Sequence, residues 1–448
     1  MADKWTTLGD VVVESRGGTS IKTSEYTSSG TPVLTKGDVK PFGCVEHGGK
    51  FVNTEAAKRN GWRFSKAGDL IVTTRDLTLA ANFLGLVSRI PDYDSFVINQ
   101  GATVFRINES KIDPRYLVYW CCGGEYRQHI QESYVGSTQI HIRQEDLFAA
   151  PVKLLPLVRQ KAIATVLGAL DDKIELNRRM NATLEAMARA LFQSWFVDFD
   201  PVRAKLDGRP PAALDPATAA LFPDSFQDSE AGHIPKGWTI QPVGEVVDCV
   251  GGGTPSTVEP KYWEGGMHHW TTPKDFSSLQ APVLLDTDRK LTDAGIAKIS
   301  SGLLPAGTLL LSSRAPVGYL AIAAMPVAIN QGFIALKCNE RASNFFMLNW
   351  CQTNMAEIES RATGTTFAEI SKQNFRPISV VIPPKELMAD FTAKVAPLYA
   401  QITANLHQSR TLATLRDTLL PKLLSGELSV AATVAKSATV QTGKETRP

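Results

Sequence analysis

The chain has 448 residues, 43% hydrophobic and 21% charged, a balance found in folded globular protein that excludes disordered and fibrous classes. Its 47 basic and 45 acidic residues leave a net charge of +2. Bulk charge therefore neither demands nor excludes a nucleic-acid partner, and any basic surface must be local. No stretch approaches ~20 uncharged apolar residues, so no membrane-spanning helix is expected. The start, Met1-Ala2-Asp3-Lys4-Trp5, lacks the basic lead and apolar core of a secretory signal. The cysteines (Cys44, Cys121, Cys122, Cys249, Cys338, Cys351) form no C-x-x-C pair, which points to reduced thiols in a cytoplasmic protein and away from a disulfide scaffold or zinc ribbon.

In chain order, Gly17-Gly18-Thr19 reads as a turn, residues 70–74 and 103–107 as strands, and residues 114–129 as a helix. After Pro156 the pattern turns helical. Ile163, Leu167, Leu170, Ile174, Asn177, Asn181, Leu184, Ala188 and Leu191 step by four and three, the spacing of a heptad seam. A helix over 157–195 is ~58 Å long at ~1.5 Å per residue. Residues 200–236 are rich in Pro and Ala and read as a connector with one helical turn. Gly251-Gly252-Gly253-Thr254-Pro255 is again a turn, 309–312 and 333–337 are strands, and 343–360 is a helix. A second seam follows: Phe391, Val395, Leu398, Ile402, Asn405, Ser409, Leu412, Arg416 and Leu419. Gly168 and Pro397 are mild breakers near the helix starts. The end of the chain, without periodicity, reads as a disordered tail.

The chain repeats itself. Ile98-Asn99-Gln100-Gly101 returns as Ile329-Asn330-Gln331-Gly332, and residues 68–75, ending Thr73-Thr74-Arg75, return as 307–314, ending Ser312-Ser313-Arg314. Trp120-Cys121 returns as Trp350-Cys351, Gly136-Ser137-Thr138 as Gly364-Thr365-Thr366, and Leu8-Gly9-Asp10 as Val243-Gly244-Glu245. The order is the same in both halves, and the period is too long for a solenoid. The expected fold class is α+β: two copies of a mixed α/β domain joined by two long helices whose seams pack on each other. The expected boundaries are 1–156 for the first domain, 157–199 for the first spacer helix and 200–236 for the connector. The second domain follows over 237–383, the second spacer helix over 384–428 and the tail over 429–448. The seam residues proper are Leu167, Leu170, Ile174, Asn177, Leu184 and Leu191, with Val395, Leu398, Ile402, Asn405, Leu412 and Leu419 in the second helix. Asn177 and Asn405 hold the same heptad position, where a polar residue sets register at some cost in stability.

No catalytic motif is evident. There is no G-x-x-x-x-G-K-[ST] phosphate loop, no G-x-G-x-x-G after a strand and no G-x-S-x-G elbow. His268-His269 has no acidic or cysteine partner at metal-ligand spacing. What remains is basic and aromatic side chains in loops. Residues 36–66 carry Lys36, Lys40, Lys50, Lys58, Arg59, Arg63 and Lys66 with Phe42, Phe51, Trp62 and Phe64 interleaved. The second copy carries Lys261, Tyr262, Trp263, Trp270, Lys274, Arg289 and Lys290. Such loops either neutralise phosphates and read base edges or are simply solvated.

The segment Leu191-Phe192-Gln193-Ser194-Trp195-Phe196-Val197-Asp198-Phe199-Asp200-Pro201-Val202-Arg203, with Ile234-Pro235-Lys236-Gly237-Trp238 and Leu419-Leu420-Pro421-Lys422-Leu423-Leu424-Ser425-Gly426-Glu427-Leu428, resembles the specificity subunit of type I restriction-modification enzymes. The resemblance implies a non-catalytic, host-defence, DNA-binding protein whose two domains each read one half of a split, asymmetric target and are held apart by the two long helices, paired as an antiparallel coiled coil. It implies double-stranded DNA, two modification (methyltransferase) subunits and two restriction (motor-nuclease) subunits as partners. S-adenosylmethionine, ATP and magnesium would belong to those subunits, with no cofactor in this chain. Under that reading the DNA-contact candidates are Lys36, Arg63, Lys66 and Arg75 in the first copy, and Lys274, Arg289, Lys290 and Arg314 in the second. Arg75 and Arg314 follow matched strands, and each either reads guanine or ties down a loop. Asn99-Gln100-Gly101 and Asn330-Gln331-Gly332, shared by both copies, fit a fold or backbone role better than base reading. The competing readings are a protein-binding coiled-coil scaffold and a self-contained DNA modification enzyme.

Overall fold

The computed structural model describes residues 4–91, 95–230, 232–364 and 368–430. Thr365 and Thr366 of the repeat, and the tail from 431 on, lie outside the described residues. The chain divides into two units, 1–175 with 410–448 and 176–409. Two long helices, α1 (Leu157–Phe196) and α2 (Lys385–Ser425), each contribute to both.

A matching run of four strands is built in each unit, and the second unit adds a fifth. In the first, strands Val12–Gly17, Ala102–Ile107, Leu70–Thr73 and Val87–Arg89 lie side by side, with Phe105 opposite Leu70. In the second the order is Asp248–Gly251, Phe333–Lys337, Leu309–Ser313, Val317–Ala323 and Val283–Leu284, with Leu336 opposite Leu309. The central strands are apolar and buried along their length, as strands covered on both faces must be. A smaller parallel pairing recurs beside each sheet: Leu34 registers with Ile98, and Thr271 with Ile329. The entry strands also match. Leu8 and Gly9 donate to the carbonyls of Ala150 and Phe148, as Val243 and Gly244 do to those of Ile378 and Arg376.

Local chemistry departs from the sequence expectation in three places. The helix expected over 114–129 is two helices, Pro114–Trp120 and Gly124–Ser133, because Gly123 takes an extended conformation and starts the second. The helix expected over 343–360 breaks at Asn354 into Asn344–Thr353 and Met355–Ser360. The connector holds two short helices, Asp200–Leu206 and Pro216–Ala220, and a hairpin of Phe226–Ser229 with Gly232–Pro235. Its prolines do not prevent helix, since Pro201 and Pro216 stand in first turns, where the missing N–H costs nothing.

Within each unit the long helices run antiparallel. In the first, Ile163, Ala164 and Leu167 of α1 share a core with Leu420, Leu423 and Leu424 of α2. The seam position Arg416 pairs with Asp171 at 2.6 Å, and Tyr119 donates its hydroxyl to the same carboxylate. The Arg416 guanidinium also covers the Phe42 ring, 3.7 Å from its centroid. In the second unit Asn177 Nδ2 donates to Gln408 Oε1 at 2.9 Å and Ser409 Oγ at 3.2 Å, and Asn405 Nδ2 donates to Asn181 Oδ1 at 2.9 Å. Further along, Phe192 and Phe196 meet Phe391. Leu167, Asn177, Val395, Ile402 and Asn405 are buried; Leu170, Ile174, Leu184, Leu191, Leu398, Leu412 and Leu419 are half-buried.

Candidate nucleic-acid interface

The feature that both units share is a tight turn pressed against a glycine pair. In the first, Gly18 donates to the Ala102 carbonyl and Thr19 to that of Ile98. A Cβ on Gly18 would come within 2.1 Å of the Asn99 carbonyl oxygen, and one on Gly252 within 2.0 Å of that of Ile329. Only glycine permits this approach. The turn is closed by its own asparagine: Asn99 Oδ1 accepts from the Gln100 N–H at 2.7 Å, and Asn330 Oδ1 from the Gly332 N–H at 2.9 Å. These contacts support the fold role expected for the shared residues.

The turn then fixes the residue after the central strand. Thr74 donates to the Gly101 carbonyl and Ser313 to the Gly332 carbonyl, each at 2.8 Å. Arg75 and Arg314 come next, each against a crossing segment: Arg75 registers with His141 and Arg314 bridges to Glu369. Ile142 and Ile370 close the arrangement by donating to the Thr74 and Ser313 carbonyls. Backbone architecture places the two arginines equivalently; their chemistry differs. Arg314 Nη1 lies 3.5 Å from the Glu369 carboxylate, whereas the Arg75 side chain has no hydrogen-bond or ion-pair partner among the described residues and lies along Gly101.

The other candidates divide into those near these turns and those elsewhere. Lys36 opens a short helical turn after Thr35, next to Leu34, whose carbonyl accepts from Asn99. Arg63 is exposed and donates from Nη1 to the Gly17 carbonyl at 3.2 Å. Lys36, Arg63 and Arg75 thus flank one turn. Lys66 stands apart, 4.0 Å from Glu14, near the buried Asp69 that binds both Arg16 and Arg106. In the second unit Lys274 and Arg314 line one cavity of about 430 Å³ with Thr272, Ser277, Tyr319 and Asn330. Lys274 reaches Asp288 at 3.6 Å. Arg289 lies flat on Trp263 at 3.5 Å and registers with Trp270, whose indole donates to the Gly253 carbonyl of the glycine turn, and Lys290 is exposed on the same strand.

Sequence reasoning missed His141 and Glu369, whose role follows from strand register. It also missed Thr35 with Asp38 and Thr272 with Asp275, which form matching capping boxes; the Thr-x-x-Asp spacing was the available signal. His268 and His269 face Asp293 and Asp286. Among the described residues no group of His, Cys, Asp and Glu is placed to hold a metal ion. All six cysteines are free; burial pushes Cys122 up to about 12 and Cys249 up to about 11, so both stay protonated thiols. No described helix is long and apolar enough to cross a membrane.

A second cavity in the 176–409 unit, about 690 Å³, is lined by Glu185, Arg189 and Gln193 of α1 with Gln280, Tyr319 and Gln352. Burial pushes the Glu185 carboxyl up to about 7, against the opposing pull of Arg189.

One domain occurs twice in the chain, and each copy places an arginine after its central strand, in a different setting. The family model for the type I restriction modification DNA specificity domain matches residues 3–186 and again 235–397, and the chain belongs to that family. It is 26% identical over 381 residues to the type I restriction enzyme HindI specificity subunit of Haemophilus influenzae, across 75% of this chain and 82% of that protein. It is 32% identical over 163 residues to the MjaIX specificity subunit of Methanocaldococcus jannaschii, across 36% of this chain and 38% of that one. The crystal structure of the type I restriction-modification system S subunit from M. genitalium superposes with a TM-score of 0.51 at 16% identity, over 94% of this chain and 96% of that one, a likeness of fold.

Proposed function

We propose that this chain reads a bipartite, asymmetric DNA target for a type I restriction-modification complex, one half-site per repeated domain. The helices set the gap between half-sites and dock two modification (methyltransferase) subunits, to which two restriction (motor-nuclease) subunits add. S-adenosylmethionine, ATP and magnesium act in those partners, and the complex works in the cytoplasm. The observation that carries the reading is the pair of equivalent arginines held in unlike surroundings, Arg75 beside His141 and Arg314 beside Glu369. Equal backbone placement gives both domains the same grip on a duplex; unequal neighbours give them different bases. Arg pairs with guanine O6 and N7, and a carboxylate accepts from cytosine N4.

The test is to express the chain with its neighbouring methyltransferase subunit and map methylated adenines across a genome. A single split, asymmetric motif is expected. Arg75→Ala should relax one half of it and Arg314→Ala the other, by about 1–3 kcal/mol of discrimination each. A stable complex whose DNA affinity does not fall with salt would instead favour a scaffold.

A further inference from the structure

Between Arg75 and Phe83 the first copy carries residues that the second lacks. The hydroxyl at the end of the central strand aligns the copies. Thr73 Oγ1 donates to the Phe83 carbonyl and accepts from the Leu86 N–H. Ser312 Oγ donates to the Pro316 carbonyl and accepts from the Tyr319 N–H. Phe83 therefore stands where Pro316 stands, and the path to it from the arginine is six residues longer in the first copy.

The inserted loop is firmly held. The buried Asp76 accepts from the backbone N–H groups of Thr78 and Phe83 at 3.0 and 2.9 Å, and from the Thr78 hydroxyl. Arg127 donates to the carbonyls of Leu84 and Ala81, and the Tyr134 hydroxyl to that of Leu79. Held this way, the loop leaves its apolar side chains outside: Leu77 is 66% exposed, Leu79 61% and Phe83 56%. Val135, also exposed, exchanges two backbone hydrogen bonds with His141, which registers with Arg75. The patch is therefore contiguous in the chain with an arginine lacking a partner among the described residues. Its counterpart in the second copy is polar, with Thr363 bridged to Glu369.

Apolar side chains fixed in water mark a contact surface, and holding them in place before binding lowers the entropy lost on contact. The accessible neighbours are the basic side chains Arg75 and His141, while the nearest carboxylate, Asp76, is buried and turned onto the loop's own N–H groups, which suits a polyanion. On the base edges of a duplex the apolar feature is the C5-methyl of thymine. We infer that the 77–83 loop is a specificity element of the first domain, packing Leu77, Leu79 and Phe83 on thymine methyl groups beside the base or phosphate taken by Arg75. This rests on the DNA-recognition reading.

The test uses the full chain with its methyltransferase partner and a duplex carrying the mapped motif. Each thymine in turn is replaced by deoxyuridine, which removes one methyl and nothing else. At least one replacement, in the half relaxed by Arg75→Ala, should weaken binding about fourfold, as one buried methylene-sized group is worth. The same replacement should cost nothing in a Leu77→Ser/Phe83→Ser variant whose discrimination at the other half-site, reporting an intact fold, is unchanged. Deoxyuridine that is neutral at every thymine, or equally costly in variant and wild type, overturns the inference. So does a variant that loses the methyltransferase subunit while keeping thymine discrimination, which assigns the patch to a protein partner. Absence of any split motif defeats the DNA-recognition reading itself.

Discussion

Glu185 shows how one residue reports its surroundings. Its carboxyl is held at about 7 by burial in the cavity wall, with Arg189 pulling the other way and Tyr399 near enough to feel its charge. The folded-state value lies above the ordinary 4.5, so the protonated form is the one the fold favours. That stabilisation is complete below pH 4.5 and is lost as pH rises through about 7. Glu185→Gln, which mimics the protonated group, should stabilise the chain at pH 8 by on the order of 1 kcal/mol, a figure discounted for partial solvent access, and change little at pH 5. Thermal unfolding at the two pH values measures it. An equal effect at both would show that Glu185 ionises freely. This residue was not legible in the sequence, where it reads as one more polar position on a helix. It shares its cavity with Gln280, Tyr319 and Gln352, all distant along the chain.

At the level of elements, the heptad seams were plain in the sequence because spacing by three and four is a local property. What the seam's polar residues do depends on the partner helix. Asn405 donates to Asn181, itself 3% exposed, whereas Asn177 donates to Gln408 and Ser409 and leaves its own Oδ1 without a partner. The two asparagines hold matched heptad positions with unlike consequences. Asn405→Leu strands a buried amide and should cost about 1–3 kcal/mol; Asn177→Leu should come close to neutral, because Gln408 is exposed to water and an unpaired polar atom is removed. Urea midpoints of the two variants measure the contrast, and equal losses would contradict it. The motif that carried the family resemblance has an equally physical account. Phe192, Trp195 and Phe196 are buried with Trp238 and Phe391, so the signature at residues 191–203 marks the seating of α1 in the second unit's core. The arginine sites were half legible. Repetition of Ser/Thr-Ser/Thr-Arg drew attention to Arg75 and Arg314, but His141 and Glu369 meet them only through strand register. Lys66 and Arg289 looked equivalent to the others by composition, which does not show that one lies 4.0 Å from Glu14 and the other stacks on Trp263.

For the whole molecule, the proposed function requires two recognition domains held at a fixed separation by paired helices. Both domains share a four-strand run, a turn and an arginine placement, and the two helices run uninterrupted through 40 and 41 residues. Two domains that meet one duplex in a fixed phase need a fixed separation. Helices supply that and flexible linkers do not. The most direct measurement is to insert four residues after Asn177 in α1 and four at the facing turn after Asn405 in α2, then map the methylated motif again. The insertion lengthens the pair by ~6 Å, about two base pairs at ~3.4 Å each. A longer gap between unchanged half-sites is expected. Changed half-sites, or a gap that does not move, would contradict it.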